Sequence, residues 1–421
     1  MESNFEQKQE RAVLVGLNAD CFTKAQTATD ESLEELEALL ETAGGFCTAK
    51  VLQNRHTPDA HSFIGEGKAL EVKMLIEATE ATMAVFDNEL SPGHIRALED
   101  ILGVTVLDRS ALILDIFAQR AKTKEGRLQV ELAQYKYLLP RLSGMGKSLS
   151  RQGGGIGTRG PGETKLESDK RHIRERISRL QQELEQVRQV RGVQRQRRMK
   201  NSVPVVAIVG YTNAGKSTLL NKLTDAGIPA NNRLFDTLDT TSRMSEVSDN
   251  LSVVLSDTVG FIAKLPHHLV EAFQATLEEL QYADLLLHVI DAGDENRQEH
   301  IEVVDSLIAK LAKPETPVLK CYNKCDLPGA IDIPAGEDII PISAKSGRGL
   351  DHLLRSIEKA LDNGRHHLIL TIPYSAGGLV DTLHQNAQVK NVDYTGDGIV
   401  VEVIVDPILY GRVKDYITEE K

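Results

Sequence analysis

The middle of the chain reads Gly210-Tyr211-Thr212-Asn213-Ala214-Gly215-Lys216-Ser217-Thr218, which fits the phosphate-loop pattern G-x-x-x-x-G-K-[ST]. An apolar run over residues 205–209 precedes it, and residues 218–223 have the pattern of a helix. Backbone amides and the positive end of a helix can hold phosphate groups in such a loop. We expect Lys216 to reach β- and γ-phosphate oxygens and the Ser217 hydroxyl to bind Mg²⁺. The motif predicts a nucleotide-binding α/β domain.

A second motif, Asp257-Thr258-Val259-Gly260, follows the apolar run at residues 251–256. The two strands should end beside each other at the phosphates. Asp257 is therefore expected to hold Mg²⁺, through water, and the Gly260 amide to meet the γ-phosphate. Thr237 is the preferred threonine to join Mg²⁺ when the γ-phosphate is present, and Thr240 and Thr241 are alternatives. Lys216, Thr237 and Gly260 form the predicted catalytic set.

Two further motifs address the base. Asn323-Lys324-Cys325-Asp326 stands at a predicted strand end, and Ser343-Ala344-Lys345 supplies the next loop. A carboxylate at Asp326 can accept hydrogen bonds from both N1–H and the exocyclic amine of guanine, whereas adenine offers no such donor pair. The Ala344 amide should face the guanine O6. Each short motif alone is common at protein surfaces, but four in this order over residues 203–346 predict a domain that binds and hydrolyses GTP.

The rest of the chain divides into further domains, because 421 residues exceed what one hydrophobic core usually supports. Strands and helices alternate in the N-terminal part, helical periodicity follows, and the tail mixes strands with a helix. The predicted class is α/β. The predicted domains are an N-terminal α/β domain (1–110), an antiparallel two-helix hairpin (111–200), a doubly wound P-loop GTPase domain (201–364) and a small α+β domain (365–421).

Composition excludes several classes of protein. The longest apolar runs are too short to span a bilayer, and the first residues lack the apolar core of a secretory signal. The four cysteines lack the paired spacing of zinc sites and are too sparse for a disulfide framework, so reduced thiols are expected. These features predict a cytoplasmic protein without a membrane span. We expect a monomer.

The hairpin is predicted from apolar residues that step alternately by four and three, the spacing that joins two helices along a seam. These residues are Leu128, Leu132, Tyr135, Leu139 and Leu142 in one segment and Ile173, Ile177, Leu180, Leu184 and Val187 in the other. The chain carries a net charge of −12, yet residues 165–200 contain 12 Lys/Arg against 5 Asp/Glu. Between the helices, residues 143–164 hold eight glycines and three basic residues. Composition alone favours a flexible linker and an anion-binding tip equally.

The tip sequence Gly153-Gly154-Gly155-Ile156-Gly157-Thr158-Arg159-Gly160-Pro161-Gly162-Glu163, together with the GTPase motifs and the sequence DTVGF, closely resembles the HflX family of bacterial translation-associated GTPases. The resemblance covers nearly the whole chain. It implies binding to the large ribosomal subunit and its rRNA, and a role in splitting or rescuing stalled or idle ribosomes under stress. It also implies that the tip reaches toward the peptidyl transferase centre.

With that resemblance, the tip becomes a predicted RNA-binding element rather than a linker. Its predicted contacts with RNA, mostly to phosphate and shape, come from glycines and arginines of the tip and the second helix. They are Arg151, Gly154, Gly155, Arg159, Gly160, Arg171, Arg174 and Arg179. Alternatives are a GTPase of ribosome assembly or RNA modification, and a scaffold that binds GTP without meaningful hydrolysis.

Two positions bear on catalysis. Phe261 follows DTVG where Ras-like enzymes place the glutamine that orients the attacking water, and other proteins of the resembled group are also apolar there. Phenylalanine cannot hydrogen-bond to water, so slow intrinsic turnover raised by a docked partner is predicted. Asn213 stands where some related GTPases hold a K⁺ ion. The alternative for Asn213 is a hydrogen bond within the phosphate loop.

Overall fold

The computed structural model describes residues 9–23, 26–142, 165–200, 203–224, 234–235, 241–248, 251–264, 279–330, 332–361, 366–396, 398–405 and 407–420. The chain forms two units. The first contains Met1–Glu185, Asn231–Asp239 and Ile262–Gln274, and the second contains Gln186–Ala230, Thr240–Phe261 and Ala275–Lys421. Within the described ranges, no helix is both long enough and apolar enough to cross a membrane.

The first unit is built on a parallel four-stranded sheet of order β2-β1-β3-β4. Its strands are β1 (Arg11–Ala19), β2 (Phe46–Arg55), β3 (Met83–Phe86) and β4 (Thr105–Asp108). Its helices are α1 (Asp30–Ala43), α2 (Glu66–Thr79), α3 (Pro92–Leu102) and α4 (Arg109–Arg120). The sequence predicts strands over residues 12–17, 82–86 and 104–107 and helices over residues 31–42, 67–77 and 92–102, and all six are confirmed. Strand β2 and helix α4 were not predicted. The sequence of β2, FCTAKVLQNR, intersperses polar with apolar residues and so lacks a long apolar run, and only Val51 is buried in this edge strand.

The predicted helical hairpin consists of α5 (Lys124–Leu142) and α6 (Lys165–Lys200). Its seam joins residues that the four-three spacing picked out: Leu128, Leu132, Tyr135, Ile177, Leu180 and Leu184. Arg176 pairs with Glu131 across the two helices at 2.7 Å. Apolar periodicity was therefore a sufficient signal for this element. The tip, residues 143–164, lies outside the described residues.

The second unit contains a six-stranded sheet of order β10-β9-β8-β5-β7-β6. Its strands are β5 (Val205–Gly210), β6 (Thr241–Ser248), β7 (Leu251–Asp257), β8 (Leu285–Asp291), β9 (Val318–Asn323) and β10 (Ile339–Pro341), with helices α7 (Lys216–Thr224), α8 (Arg297–Leu311) and α9 (Leu350–Leu361). The five parallel strands match the predicted doubly wound domain. Strand β6 was missed. It is a polar edge strand, antiparallel to β7, with Ser245 as its one buried residue.

The C-terminal part is an antiparallel sheet of order β12-β13-β11-β14 with two short helices, as the α+β prediction required. The elements are β11 (His366–Ile372), α10 (Gly378–Asn386), β12 (Gln388–Thr395), β13 (Gly398–Val405), α11 (Pro407–Val413) and β14 (Ile417–Glu420). Its core alternates along the strands, as Leu368, Leu370 and Ile372 illustrate. The last strand, β14, was not predicted, because ITEE has one apolar residue.

Candidate nucleotide site

The phosphate loop joins the end of β5 to the start of α7, as the motif predicted. Gly210 and Gly215 both have positive φ, at 154° and 96°. A Cβ at Gly210 would collide with the Val289 carbonyl, and one at Gly215 would collide with the Asn323 amide. Only glycine fits both positions, because a side chain would meet the neighbouring strand or the base-recognition loop.

Lys216 is 6% exposed and begins α7. Its ammonium donates to the carbonyls of Gly210, at 3.1 Å, and Tyr211, at 2.7 Å. Burial lowers the pKa of Lys216 from 10.5 to about 8, and the charge of Asp257 opposes that shift only in part. The buried cation is therefore held next to the loop by neutral carbonyls, and a phosphate there would stabilise its charged form.

Ser217 and Asp257, the predicted Mg²⁺ ligands, lie together: Ser217 is in the first turn of α7 and Asp257 is the last residue of β7. The Ser217 hydroxyl donates to Asp257 Oδ2 at 2.8 Å, and Asp257 is fully buried at the end of β7. A hydroxyl and a carboxylate are hard oxygen ligands, and Mg²⁺ is usually bound by one or two carboxylates together with substrate phosphates. The donor set fits Mg²⁺ bound with a nucleotide.

The sequence DTVGF folds back onto the phosphate loop. Phe261 donates its amide to the Gly210 carbonyl at 3.1 Å and accepts from the Thr212 amide at 2.7 Å, in register with Tyr211. A Cβ built on Gly260 would stand 2.9 Å from the Lys216 ammonium. The structure thus brings two of the three predicted catalytic residues, Lys216 and Gly260, to one point.

The switch threonines are placed less completely. Thr237 and Thr240 lie outside the described residues. Thr241 is the first residue of β6 and is the register partner of Asp257. The choice of Thr237 among the three threonines therefore stays a prediction.

Asn323 connects the two halves of the candidate site. Its side-chain amide donates to the Ala214 carbonyl of the phosphate loop at 2.8 Å, and its side-chain oxygen accepts from the Ala344 amide at 2.9 Å. Asn323 is 2% exposed. The phosphate loop, NKCD and SAK are therefore joined by one buried side chain at the carboxyl edge of the sheet.

The charged side chain expected to bind the base is exposed, whereas the charged side chains beside the phosphate loop, Lys216 and Asp257, are buried. Asp326 is exposed, and a hydrogen bond from Ser343 is the main reason why the pKa of its carboxyl lies below the usual value, with Lys345 adding a smaller effect. Lys324 pairs with Asp291 at 2.6 Å. Asp326 thus presents an ionised carboxylate to solvent, and an ionised carboxylate is what accepts hydrogen bonds from the two guanine donors.

Sequence reasoning missed one contact beside the phosphate loop. The ring of Tyr211 stacks on His300 of α8, with centroids 3.7 Å apart and planes 13° apart. His300 is in turn held by Asp294 at 2.8 Å. Asp294 and His300 lie in the segment DAGDENRQEH, which begins with the last residue of β8 and contains no recognisable motif, so no sequence pattern indicated the contact.

The predicted RNA-binding residues divide by position. Arg171, Arg174 and Arg179 are exposed on α6, and Arg171 lies 3.9 Å from Glu175 in the next turn. The five tip residues lie outside the described part of the chain. Asn213, the predicted K⁺ ligand, is exposed in the phosphate loop with φ of 60°.

Three family models match the chain in succession. They describe a GTP-binding GTPase N-terminal region at residues 30–118, a GTP-binding GTPase middle region at residues 120–198, and a 50S ribosome-binding GTPase at residues 205–324. Together they cover strands β2 to β4 of the first unit's sheet, the hairpin up to residue 198, and the strands that carry the phosphate loop, DTVG and NKCD.

Whole-chain relatives agree with these models. The GTPase HflX of Caldanaerobacter subterraneus subsp. tengcongensis is 47% identical over 409 residues, which cover 97% of this chain and 94% of that protein. The GTPase HflX of Escherichia coli is 43% identical, covering 96% of this chain and 95% of that protein. A solved structure of a GTP-binding protein from Sulfolobus solfataricus with GDP is 26% identical, with a TM-score of 0.45, and covers 84% of this chain and 99% of that chain.

Proposed function

The chain belongs to the HflX family of GTPases and hydrolyses GTP, and from that premise we propose that it is a nucleotide-gated switch that binds the large ribosomal subunit and splits or rescues stalled or idle ribosomes in the cytoplasm. The observation that carries the proposal is the meeting of four GTPase motifs at one sheet edge. Asn323 joins the phosphate loop, NKCD and SAK, and the backbone of Phe261 joins DTVG to the phosphate loop. We also propose the four domains 1–110, 111–200, 201–364 and 365–421 as its working parts.

Each phosphate-side residue has a proposed role. Lys216 binds β- and γ-phosphate oxygens, the Gly260 amide meets the γ-phosphate, and Ser217 and Asp257 hold Mg²⁺, Asp257 through water. When bound, Mg²⁺ neutralises charge on the β- and γ-phosphate oxygens. Their support is the 2.8 Å contact between Ser217 and Asp257 and the closeness of Gly260 to the Lys216 ammonium. Thr237 is proposed to join Mg²⁺ only in the GTP state.

On the base side, Asp326 is proposed to accept from the two guanine donors. The remaining loop residues shape the base pocket, with the Ala344 amide facing O6 and Asn323 fixing the loop. Lys324, Ser343 and Lys345 complete the proposed set, and Ser343 keeps Asp326 ionised. Because these groups present acceptors where guanine presents donors, the site prefers GTP to ATP.

The proposed ribosome contact is the basic hairpin. The exposed Arg171, Arg174 and Arg179 and the glycine-rich tip would bind rRNA through phosphate and shape contacts. GTP and Mg²⁺ would order the segments near Thr237 and Gly260 and so fix the arrangement that binds the subunit, and hydrolysis would release it. A binding mode of this kind weakens steeply as salt concentration rises.

The decisive experiment is sedimentation of the protein with 30S, 50S and 70S particles in GTP-analogue and GDP states. We expect co-sedimentation with 50S in the GTP-analogue state, and loss of the 70S peak when protein and GTP are added to idle ribosomes. Phosphate release should rise when 50S particles are present, because docking orders the switches. Binding confined to immature subunits would favour the assembly alternative instead.

The hairpin itself is tested by charge reversal. Arg171→Glu, Arg174→Glu and Arg179→Glu together should weaken 50S binding and reduce its salt dependence, while GTP binding in the second unit stays unchanged. A matched control reverses three exposed cations on α8 and α9: Lys310, Arg355 and Lys359. Equal 50S affinity of the two triple variants would remove the hairpin from the proposal.

A K⁺ ion bound by Asn213 is proposed as a second cation of the reaction. Its test is the hydrolysis rate in matched K⁺ and Na⁺ buffers, where a higher rate in K⁺ is expected. Asn213→Ala should remove the difference without abolishing GDP binding. Equal rates in both buffers would mean that Asn213 serves the loop only.

A further inference from the structure

Phe261 leaves the attacking water without the side chain that orients it in Ras-like enzymes. Phe261 is 2% exposed, and its backbone is bonded on both sides to the phosphate loop, at Gly210 and Thr212. Its ring is therefore buried and offers no hydrogen-bonding atom. Any group that orients water by hydrogen bonding must come from another residue.

Thr212, the third residue of the phosphate loop, carries a buried hydroxyl. The residue is 7% exposed, and its side-chain oxygen has no hydrogen-bond partner among the residues that the structure describes. Its amide is already committed, because it donates to the Phe261 carbonyl at 2.7 Å. A buried hydroxyl without a partner is costly, and such groups often mark a ligand or catalytic role.

The position of Thr212 suits the reaction. A Cβ built on Gly260 would stand 2.9 Å from the Lys216 ammonium, 3.0 Å from Thr212 Cγ2 and 3.1 Å from Thr212 Cα. Three groups thus converge: the proposed ligand of the γ-phosphate oxygens, the backbone proposed to meet that phosphate, and the Thr212 side chain. A rotation of about 120° about the Cα–Cβ bond would bring the Thr212 hydroxyl to the position that the methyl now holds.

We propose that the Thr212 hydroxyl orients the attacking water in place of the missing glutamine. The water oxygen bonds to the γ-phosphorus, and the bond from that phosphorus to the β–γ bridging oxygen breaks, its electron pair leaving on GDP. The water proton passes to a γ-phosphate oxygen, which yields inorganic phosphate. A hydroxyl accepts through two lone pairs and donates one proton, so Thr212 can hold the water and keep its own proton.

The test compares two substitutions in single-turnover hydrolysis at saturating GTP, with the protein alone. Thr212→Val keeps the shape and removes the hydroxyl, and we expect hydrolysis to slow on the order of tenfold to a hundredfold, the usual cost of a misplaced reactant. GDP affinity should stay within about twofold, since hydrogen bonds to the water form only on the way to hydrolysis. Thr212→Ser restores the hydroxyl and should recover most of the rate.

A second readout is the affinity for GDP with aluminium fluoride, which mimics the transferring phosphoryl group. Thr212→Val should lose this affinity in proportion to its rate, and Thr212→Ser should keep it. The matched control is Thr224→Val on α7, whose hydroxyl already donates to the Leu220 carbonyl at 2.7 Å. That variant should hydrolyse GTP at the wild-type rate.

Two outcomes would overturn the assignment. Wild-type hydrolysis by Thr212→Val means that the hydroxyl does not orient the water. An equal loss of rate and GDP affinity in both the valine and serine variants means that position 212 only shapes the loop. The inference rests on GTP hydrolysis at this site and not on the ribosome, so failure of 50S particles to stimulate the wild type would leave it standing.

Discussion

Two buried charge clusters, one in each unit, handle their charges in opposite ways. In the first unit Asp87 is bound by Arg109 at 2.8 Å, by Lys264 and by the Ser32 hydroxyl, and Arg109 also binds Glu35. In the second unit the Lys216 ammonium is buried against two neutral carbonyls. The first cluster neutralises itself, whereas the second leaves a cation for an anionic ligand.

The difference separates a stabilising network from a binding site. Asp87 and Arg109 are 2% and 1% exposed and each meets opposite charge, so removal of one partner leaves a buried charge less compensated. Among the described residues the Lys216 ammonium donates to carbonyls and to no carboxylate, and burial lowers its pKa. The first kind of cluster should respond to mutation in stability, and the second in ligand affinity.

The largest expected effect lies on the ligand-facing side. Asp326→Asn should weaken GDP and GTP binding on the order of a hundredfold to ten-thousandfold, because two charge-assisted hydrogen bonds to guanine are lost. Xanthine nucleotides, which carry an acceptor in place of the amine, should gain affinity. Equilibrium titration with fluorescent guanine and xanthine nucleotides measures both.

Unchanged guanine affinity in Asp326→Asn would refute the role of this residue. Since Asp326 is exposed, its substitution should also leave the unfolding midpoint of the nucleotide-free protein where it was. A large loss of stability would mean that Asp326 stabilises the fold, as the charges of the first cluster do.

In the first unit we predict that substitution changes the free energy of unfolding and leaves nucleotide affinity unchanged. Arg109→Ala leaves Asp87 and Glu35 without their shared guanidinium, so the free energy of unfolding should fall by about 3 to 5 kcal/mol. Urea unfolding of the full chain gives the change, and GDP affinity is expected to stay at the wild-type value. Arg11→Ala is the control, since its pair with Glu80 is exposed at the surface and should contribute at most about 1 kcal/mol.

If Arg109→Ala unfolds like the control, the cluster is not stabilising. If it changes GDP affinity more than stability, the contrast between the two clusters is wrong. The segment that carries Lys264 follows DTVGF in the chain, so such a result would point to a role of the first unit in nucleotide binding.

The two clusters also differ in whether they could be predicted from the sequence. The phosphate loop, DTVG, NKCD and SAK are local motifs, and their chemistry can be read from neighbouring residues. The cluster of Asp87 and Arg109 joins residues far apart in the chain, and Arg109 follows a short strand without any motif. Such a pair depends on tertiary packing, which a single sequence does not specify.

Secondary structure followed the same rule. Strands buried on both faces, such as β5 and β8, could be predicted because they are apolar runs. The hairpin could be predicted from the periodicity of its apolar residues. The missed strands β2, β6 and β14 lie at sheet edges. Strands β6 and β14 are mostly polar, and β2 mixes apolar with polar residues and buries only Val51. An edge strand gains its hydrogen bonds from one neighbour and buries little apolar surface, so its sequence carries a weak signal.

A smaller effect should appear in stability as a function of pH. In the folded, nucleotide-free protein Lys216 loses its proton near pH 8, while an unfolded lysine keeps it to about 10.5. Between these values the unfolded state binds more protons, so stability should rise with pH, by up to about 3 kcal/mol in all. Urea unfolding across this range measures the slope, and Lys216→Met should remove this contribution. An unaltered slope in the variant would show that the cation is not destabilised by burial.

The smallest expected effect is the uptake of a proton by Lys216 when GDP binds. Phosphate beside Lys216 favours the charged ammonium and raises its pKa, so GDP binding should take up a proton at pH values above about 8, where the free lysine is neutral. Affinity should then be flat below that pH and fall above it by up to about tenfold per pH unit. Calorimetry in two buffers of different ionisation enthalpy counts the protons, up to about one per GDP.

The self-neutralised cluster of the first unit should add no proton uptake, so the variant Arg109→Ala is the control and must show the same uptake as the wild type. Binding without proton uptake above pH 8 would mean that Lys216 is already fully charged in the free protein, and the contrast between the clusters would lose its electrostatic basis.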